Sequence, residues 1–210
     1  SGPEAFLAGS ITDAQARYNL RNLIVDNKVD MQQLAILQRL CASVGLGPDT
    51  ASALADGLLA TLQADSDTAP LPPQQLADLV WLGMDAAVID RLAAVAVLLP
   101  VATPINLNTA SREVLAGVVA GLDLGSADRL VQARVRTPLR SLADAVAIIG
   151  AGPTLVERDV DVKSAYFEVR GRLRLENRVL ESRSLVERRS GLQVLAIQRQ
   201  QQASLLPAGP

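Results

Sequence analysis

From about residue 29 to about residue 150 the apolar positions recur at helical spacing, and beyond about residue 160 they alternate with polar ones at a period of two. The helical stretch repeats itself. The ten residues from Gly83 to Leu92 match those from Gly121 to Leu130 in a frame of Gly-x-Asp, four residues, then Asp-Arg-Leu. The offset is 38 residues, and one further step back reaches Gly45. Each glycine follows an apolar run (34–44, 76–82 and 114–120), where φ > 0 closes a helix. Pro48 suits the first turn of the helix after Gly45. The pattern predicts three helix-turn-helix hairpins packed side by side. Breakers separate them, at 65–73 and 100–104. Thr109 or Ser111 is placed to cap a helix starting near Glu113.

The last segment reads as strands. Over 166–175, one face presents Phe167, Val169, Leu173 and Leu175, and the other Glu168, Arg170, Arg172 and Arg174. That predicts a sheet with the arginine face in water. A tight turn at Glu176-Asn177 returns the chain as Val179 to Glu187, and Ser190-Gly191 leads to a third strand, Leu192 to Ile197. The chain is therefore expected to be α+β.

Composition removes whole classes of chemistry. The sequence has no histidine, which excludes a Ser-His-Asp triad and imidazole-bound metals. Its one cysteine, Cys41, sits in an apolar run and reads as a core thiol. No apolar stretch reaches the ~18 residues that span a bilayer. Net charge is −6 over residues 1–104, +1 over 105–154 and +3 over 155–210. The arginines of the tail alternate with acids, as on a solvated face.

Two binding patterns invite comparison. Asp65 and Asp67 stand two apart like calcium-loop ligands, but the sixth and twelfth positions of such a loop hold Pro70 and Leu76, so the stretch reads as a polar linker. Gly45-Leu46-Gly47 resembles the phosphate-holding hairpin of helix-hairpin-helix modules, although Asp49 and Asp56 flank it. Gly125-Ser126, with Arg129, Arg134 and Arg136, is a second candidate, with Asp123 where the first glycine would stand. A DNA-binding module of this kind is the alternative reading. No phosphate loop with its lysine is present, and nothing points to an enzyme.

Three motifs together resemble the K-type minor pseudopilins of type II secretion. They are Asp13 to Leu23, containing Asn19-Leu20-Arg21-Asn22-Leu23; Pro104-Ile105-Asn106-Leu107-Asn108-Thr109-Ala110; and Ser164-Ala165-Tyr166-Phe167 followed by strands. They occur in family order across residues 11–190. Asn19, Leu20, Asn22, Leu23, Asn106, Asn108, Thr109, Tyr166 and Phe167 carry the resemblance and are assigned a structural role. The asparagines are placed to hydrogen-bond nearby backbone.

The resemblance implies a pilin-like antiparallel sheet carrying a large all-helical insertion, with the N-terminal membrane helix absent. The expected division is 1–28 and 156–210 for the sheet domain and 29–155 for the insertion. It also implies a periplasmic head, anchored in the inner membrane in the full-length protein. Such a head joins I-type and J-type minor pseudopilins, with other pseudopilins as further partners, at a tip that starts pseudopilus assembly. Family members bind calcium through a cluster of carboxylates. The corresponding stretch here, Leu54 to Thr61, keeps only Asp56, so no cofactor is expected.

Overall fold

In a computed structural model, which describes residues 5–63, 71–175, 178–189 and 193–205, the Asp30 carboxylate caps the first long helix, α1 (Met31–Ser43), by accepting from the Gln32 and Gln33 amides. Gly45 follows at φ 73° and leads into α2 (Pro48–Gln63). The second hairpin runs from a 3-10 helix (Leu76–Leu82) through Gly83 (φ 81°) to α3 (Ala86–Leu92). The third runs from α4 (Arg112–Val118) through Gly121 (φ 79°) to α5 (Leu124–Arg136). A further helix, α6 (Leu142–Ile149), starts on a Ser141–Asp144 capping box. All three repeat glycines thus occupy the left-handed conformation their spacing predicts. The first arm of the middle hairpin is the exception to an α-helical reading. Leu76, Leu79 and Leu82 stand three apart and stack along a helix of three residues per turn. Of the two candidate caps before α4, Ser111 serves, its hydroxyl accepting from the Val114 amide, while Thr109 stays in the preceding turn.

The helices close on one apolar core. Ile36, Leu37 and Leu40 of α1, Leu54 of α2, Leu79, Leu92, Ile105, Leu107, Val114, Leu115 and Leu130 are all buried there. Tyr18, Leu20 and Leu23 belong to the same core. The backbone of Tyr18-Asn19 pairs in parallel with Ala96-Val97, and Ile105-Asn106 pairs with Val160-Asp161.

The chain accordingly forms two units, Gln15–Lys163 and Ser1–Ala14 with Ser164–Pro210. The boundaries expected after residues 28 and 155 lie instead after 14 and 163. The physical reason is burial: Tyr18, Leu20, Leu23 and Val160 belong to the helical core, and the backbones of Tyr18-Asn19 and Val160-Asp161 pair with strands of that unit.

The second unit is a four-stranded antiparallel sheet of β1 (Ala5–Asp13), β2 (Tyr166–Leu175), β3 (Arg178–Arg188) and β4 (Val194–Leu205), in that spatial order. The helical unit is inserted between the adjacent strands β1 and β2. β4 runs well past the predicted end at Ile197, because Gln198, Gln200, Gln201 and Gln202 give no apolar alternation while their backbone still pairs with β3. The turns predicted at Glu176-Asn177 and Ser190-Gly191, and the Asp65–Asp67 pair, lie outside the described residues.

The two faces of β2 differ from expectation. Glu168, placed on the wet face by alternation, is 7% exposed, with the Arg170 and Arg183 guanidinium groups at 3.3 and 2.9 Å from its Oε2. Leu173 and Leu175, expected inside, are 39% and 41% exposed. Two arginines neutralise the carboxylate locally, so it tolerates burial.

Asparagine clamps and an open sheet face

Asn19 is fully buried and uses all four of its hydrogen-bonding positions. Its Nδ2 donates to the Val101 carbonyl (2.7 Å) and the Thr103 hydroxyl (3.0 Å), and its Oδ1 accepts from the amides of Leu99 (3.1 Å) and Arg21 (3.0 Å). Asn22 imitates a strand partner for Thr103, donating to its carbonyl at 2.9 Å and accepting from its amide at 3.0 Å. Leu20 and Leu23, between and beside them, are fully buried. The Arg21 guanidinium adds bonds to the carbonyls of Leu99 and Pro73. One short segment therefore ties down the chain from residue 99 to 103.

The second motif works in the same way. Asn106 is 6% exposed and accepts the Asn108 amide at 2.9 Å, closing an Asx-turn. Asn108 donates to the carbonyls of Leu139 (2.9 Å) and Val162 (3.0 Å) and accepts from the Leu139 amide (2.8 Å). It thus joins three segments far apart in sequence. Thr109 is exposed and bonds back to the Asn106 carbonyl. Tyr166 and Phe167 belong to the other unit. The Tyr166 ring is buried with its hydroxyl 3.5 Å from Glu187, and the Arg188 guanidinium lies 5.1 Å over the half-buried Phe167 ring.

Beside the clamps runs a network, buried at Tyr18, Gln33 and Asp159 and exposed at Arg158, that no local pattern announces. The Tyr18 hydroxyl donates to Gln33 Oε1 (3.0 Å), Gln33 Nε2 donates to Asp159 (2.6 Å), and Arg158 pairs with Asp30 (2.9 Å). Burial, then the Asp159 and Asp30 carboxylates, push the Tyr18 phenol far above its ordinary value. Burial likewise pushes the Cys41 thiol up to about 11. Both groups bind their protons more tightly folded than unfolded, so the unfolded chain loses protons first as pH rises. Stability is expected to be flat from pH 7 to about pH 9 and to fall above it, more steeply once tyrosine ionises in the unfolded chain. Denaturant midpoints measured from pH 7 to 10.5 check this; a flat profile would contradict it.

In the hairpins that suggested DNA binding, three amides are engaged within the turns. The Gly45 and Leu46 amides bond back to the Ala42 and Cys41 carbonyls, closing α1. In the second candidate, the Ser126 amide is held by the Asp123 carboxylate at 2.9 Å.

The sheet presents a different kind of surface. Side chains paired across strands share a face. On one face, Leu7, Leu173 and Leu180 form a row, Gly9, Gly171 and Ser182 the next, and Ile11 and Val169 a third. Leu7 is 82% and Ile11 71% exposed. A hollow of about 830 Å³ bounded by all four strands is lined by Gly9, Gly171 and Ser182 together with Arg170, Arg172 and Arg183, which alternate with them. Exposed apolar side chains set in rows like these mark a surface that another element covers. No group of three or more acidic, cysteine or histidine side chains gathers as a metal site among the described residues.

Comparison with known proteins agrees with this architecture. Two family models, both described as type II secretion system protein K, match residues 16–101 and 105–163, which together make up more than half of the chain and contain every clamp asparagine. A type II secretion system protein K from Pseudomonas aeruginosa is 29% identical over 154 residues, covering 64% of this chain and 46% of that protein. The chain thus spans about half the length of that curated relative. A chain in the crystal structure of the GspK-GspI-GspJ complex from the enterotoxigenic Escherichia coli type 2 secretion system superposes with a TM-score of 0.67 at 18% identity. The match covers 96% of this chain and 84% of that one. At that identity the likeness speaks to the fold.

Proposed function

The chain belongs to the type II secretion system protein K family, and from that premise we propose that it is the head of a minor pseudopilin, a structural subunit of the pseudopilus tip. It joins I-type and J-type minor pseudopilins there, starts pseudopilus assembly for the export of folded proteins, and carries out no catalysis. The observation that carries this reading is the insertion itself: a clamped helical unit, matched to the family, sits between two adjacent strands of a small sheet with an open apolar face. That construction suits a docking part, since rigid elements present the surface and no polarised nucleophile or acid–base pair is built into it among the described residues.

In the full-length protein the head is periplasmic and joined to the inner membrane by an anchor. The exposure of Leu7, Ile11, Leu173 and Leu175 supports a helix packing on that face. The head works without the family's calcium, because within Leu54 to Thr61 the only carboxylate is Asp56, exposed on α2.

Size-exclusion chromatography of the chain with I- and J-type heads tests the reading. Co-elution as a heterocomplex is expected, unchanged by a calcium chelator. Separate elution of all three proteins would overturn the assembly role, and loss of the complex on chelation would overturn calcium independence.

A further inference from the structure

We propose that the outer edge of β4 receives an extended, acid-bearing strand donated by an assembly partner, an inference that rests on the pseudopilin reading above. β4 ends the sheet order among the described residues. It pairs with β3 from Val194–Arg188 to Leu205–Arg178, with one irregularity between Ala196 and Gln198. The other side of this twelve-residue strand presents a row of backbone amides and carbonyls.

Proteins normally guard such an edge with charges, proline, bulges or brevity. β4 is long, contains no proline, and carries one charge, Arg199. Its glutamines neither repel an incoming strand nor require burial. Main-chain pairing at an exposed edge is an established way of adding a strand. β1, at the opposite edge, is shorter and has Gly9 at its middle, which weakens a strand.

Charge selects the occupant. A second copy of β4 laid antiparallel in the register centred on Arg199 would bring Arg199 against its own counterpart, like charge beside like. On the same face of the sheet, Arg178 is also exposed, and neither arginine has a carboxylate partner among the described residues. A partner strand with Asp or Glu opposite Arg199 replaces that repulsion with attraction.

Residue-resolved amide exchange by NMR, on the 210-residue chain alone and mixed with I- and J-type heads, tests the proposal. In the free chain, the β4 amides that face β3 exchange slowly and the alternating outward ones quickly. In the complex, the outward amides are expected to slow at least about tenfold, and Arg199→Glu to weaken the complex about tenfold. A complex that forms while the outward amides exchange as before overturns the edge proposal and leaves the pseudopilin reading standing. Protection of those amides with undiminished affinity in Arg199→Glu overturns the acidic occupant. Failure to bind either head removes the pseudopilin reading and this proposal together.

Discussion

Asn19→Ala is expected to destabilise the helical unit by about 4 kcal/mol. The substitution leaves the Leu99 amide, the Val101 carbonyl and the Thr103 hydroxyl without the partner they share, and Leu99 is fully buried. Each buried polar group left unpaired costs about 1–3 kcal/mol. The methyl group of alanine also leaves a space whose lining is held by backbone and cannot collapse freely. Because Asn22 shares Thr103 with Asn19, the double variant Asn19→Ala/Asn22→Ala should cost less than the sum of the two single ones. Thr109→Ala, in the second motif but exposed, should change stability by less than about 0.5 kcal/mol. Urea unfolding followed by the fluorescence of Trp81 measures all four, since that residue is the only tryptophan and lies in the helical unit. A loss below about 1 kcal/mol for Asn19→Ala would mean that water takes over the clamp.

Gly117→Ala should also be damaging, at about 2 kcal/mol. A Cβ there would stand 2.4 Å from Leu40 Cδ2 and 2.9 Å from Leu40 Cγ. Leu40 is fully buried on α1, and its own space is filled on every side by the core. Overpacking of that kind costs about 1–3 kcal/mol or more. The gain in helix propensity from glycine to alanine, about 1 kcal/mol, offsets only part of it. The steric origin has a signature. Leu40→Ala alone should lose about 2–5 kcal/mol, yet adding Gly117→Ala to it should cost nothing further or restore stability. At Gly57 the same substitution meets Leu82 Cδ1 at 3.3 Å, a contact that yields by a small shift, so Gly57→Ala should be much milder. Equal losses at the two glycines would show that close approach of α1 and α4 is not the cause.

Both predictions concern residues that a sequence reading treats unequally. Gly117 lies inside a helical run with nothing to distinguish it from a tolerated glycine. Its importance comes from a leucine more than seventy residues earlier in the chain. The asparagines stand out in sequence, but local hydrogen bonding is the only role their neighbours suggest. The Asn106–Asn108 turn is local, whereas the bonds of Asn19, Asn22 and Asn108 reach partners about thirty to eighty residues away. The Tyr18–Gln33–Asp159 network left no signal at all, because glutamine and aspartate at unrelated positions form no pattern along the chain.

What the sequence determined by itself is what neighbouring residues decide. Left-handed glycines at Gly45, Gly83 and Gly121, a cap at Thr109 or Ser111, and the alternation of β2 follow from sterics and hydrogen bonds within a few residues. Tertiary structure alone decided the unit boundaries at 14 and 163, the reach of the asparagine clamps, the burial of Glu168 and the openness of the leucine face. Alternation assigns side chains to two faces, but which face is covered depends on what packs there, and that is fixed by residues distant along the chain.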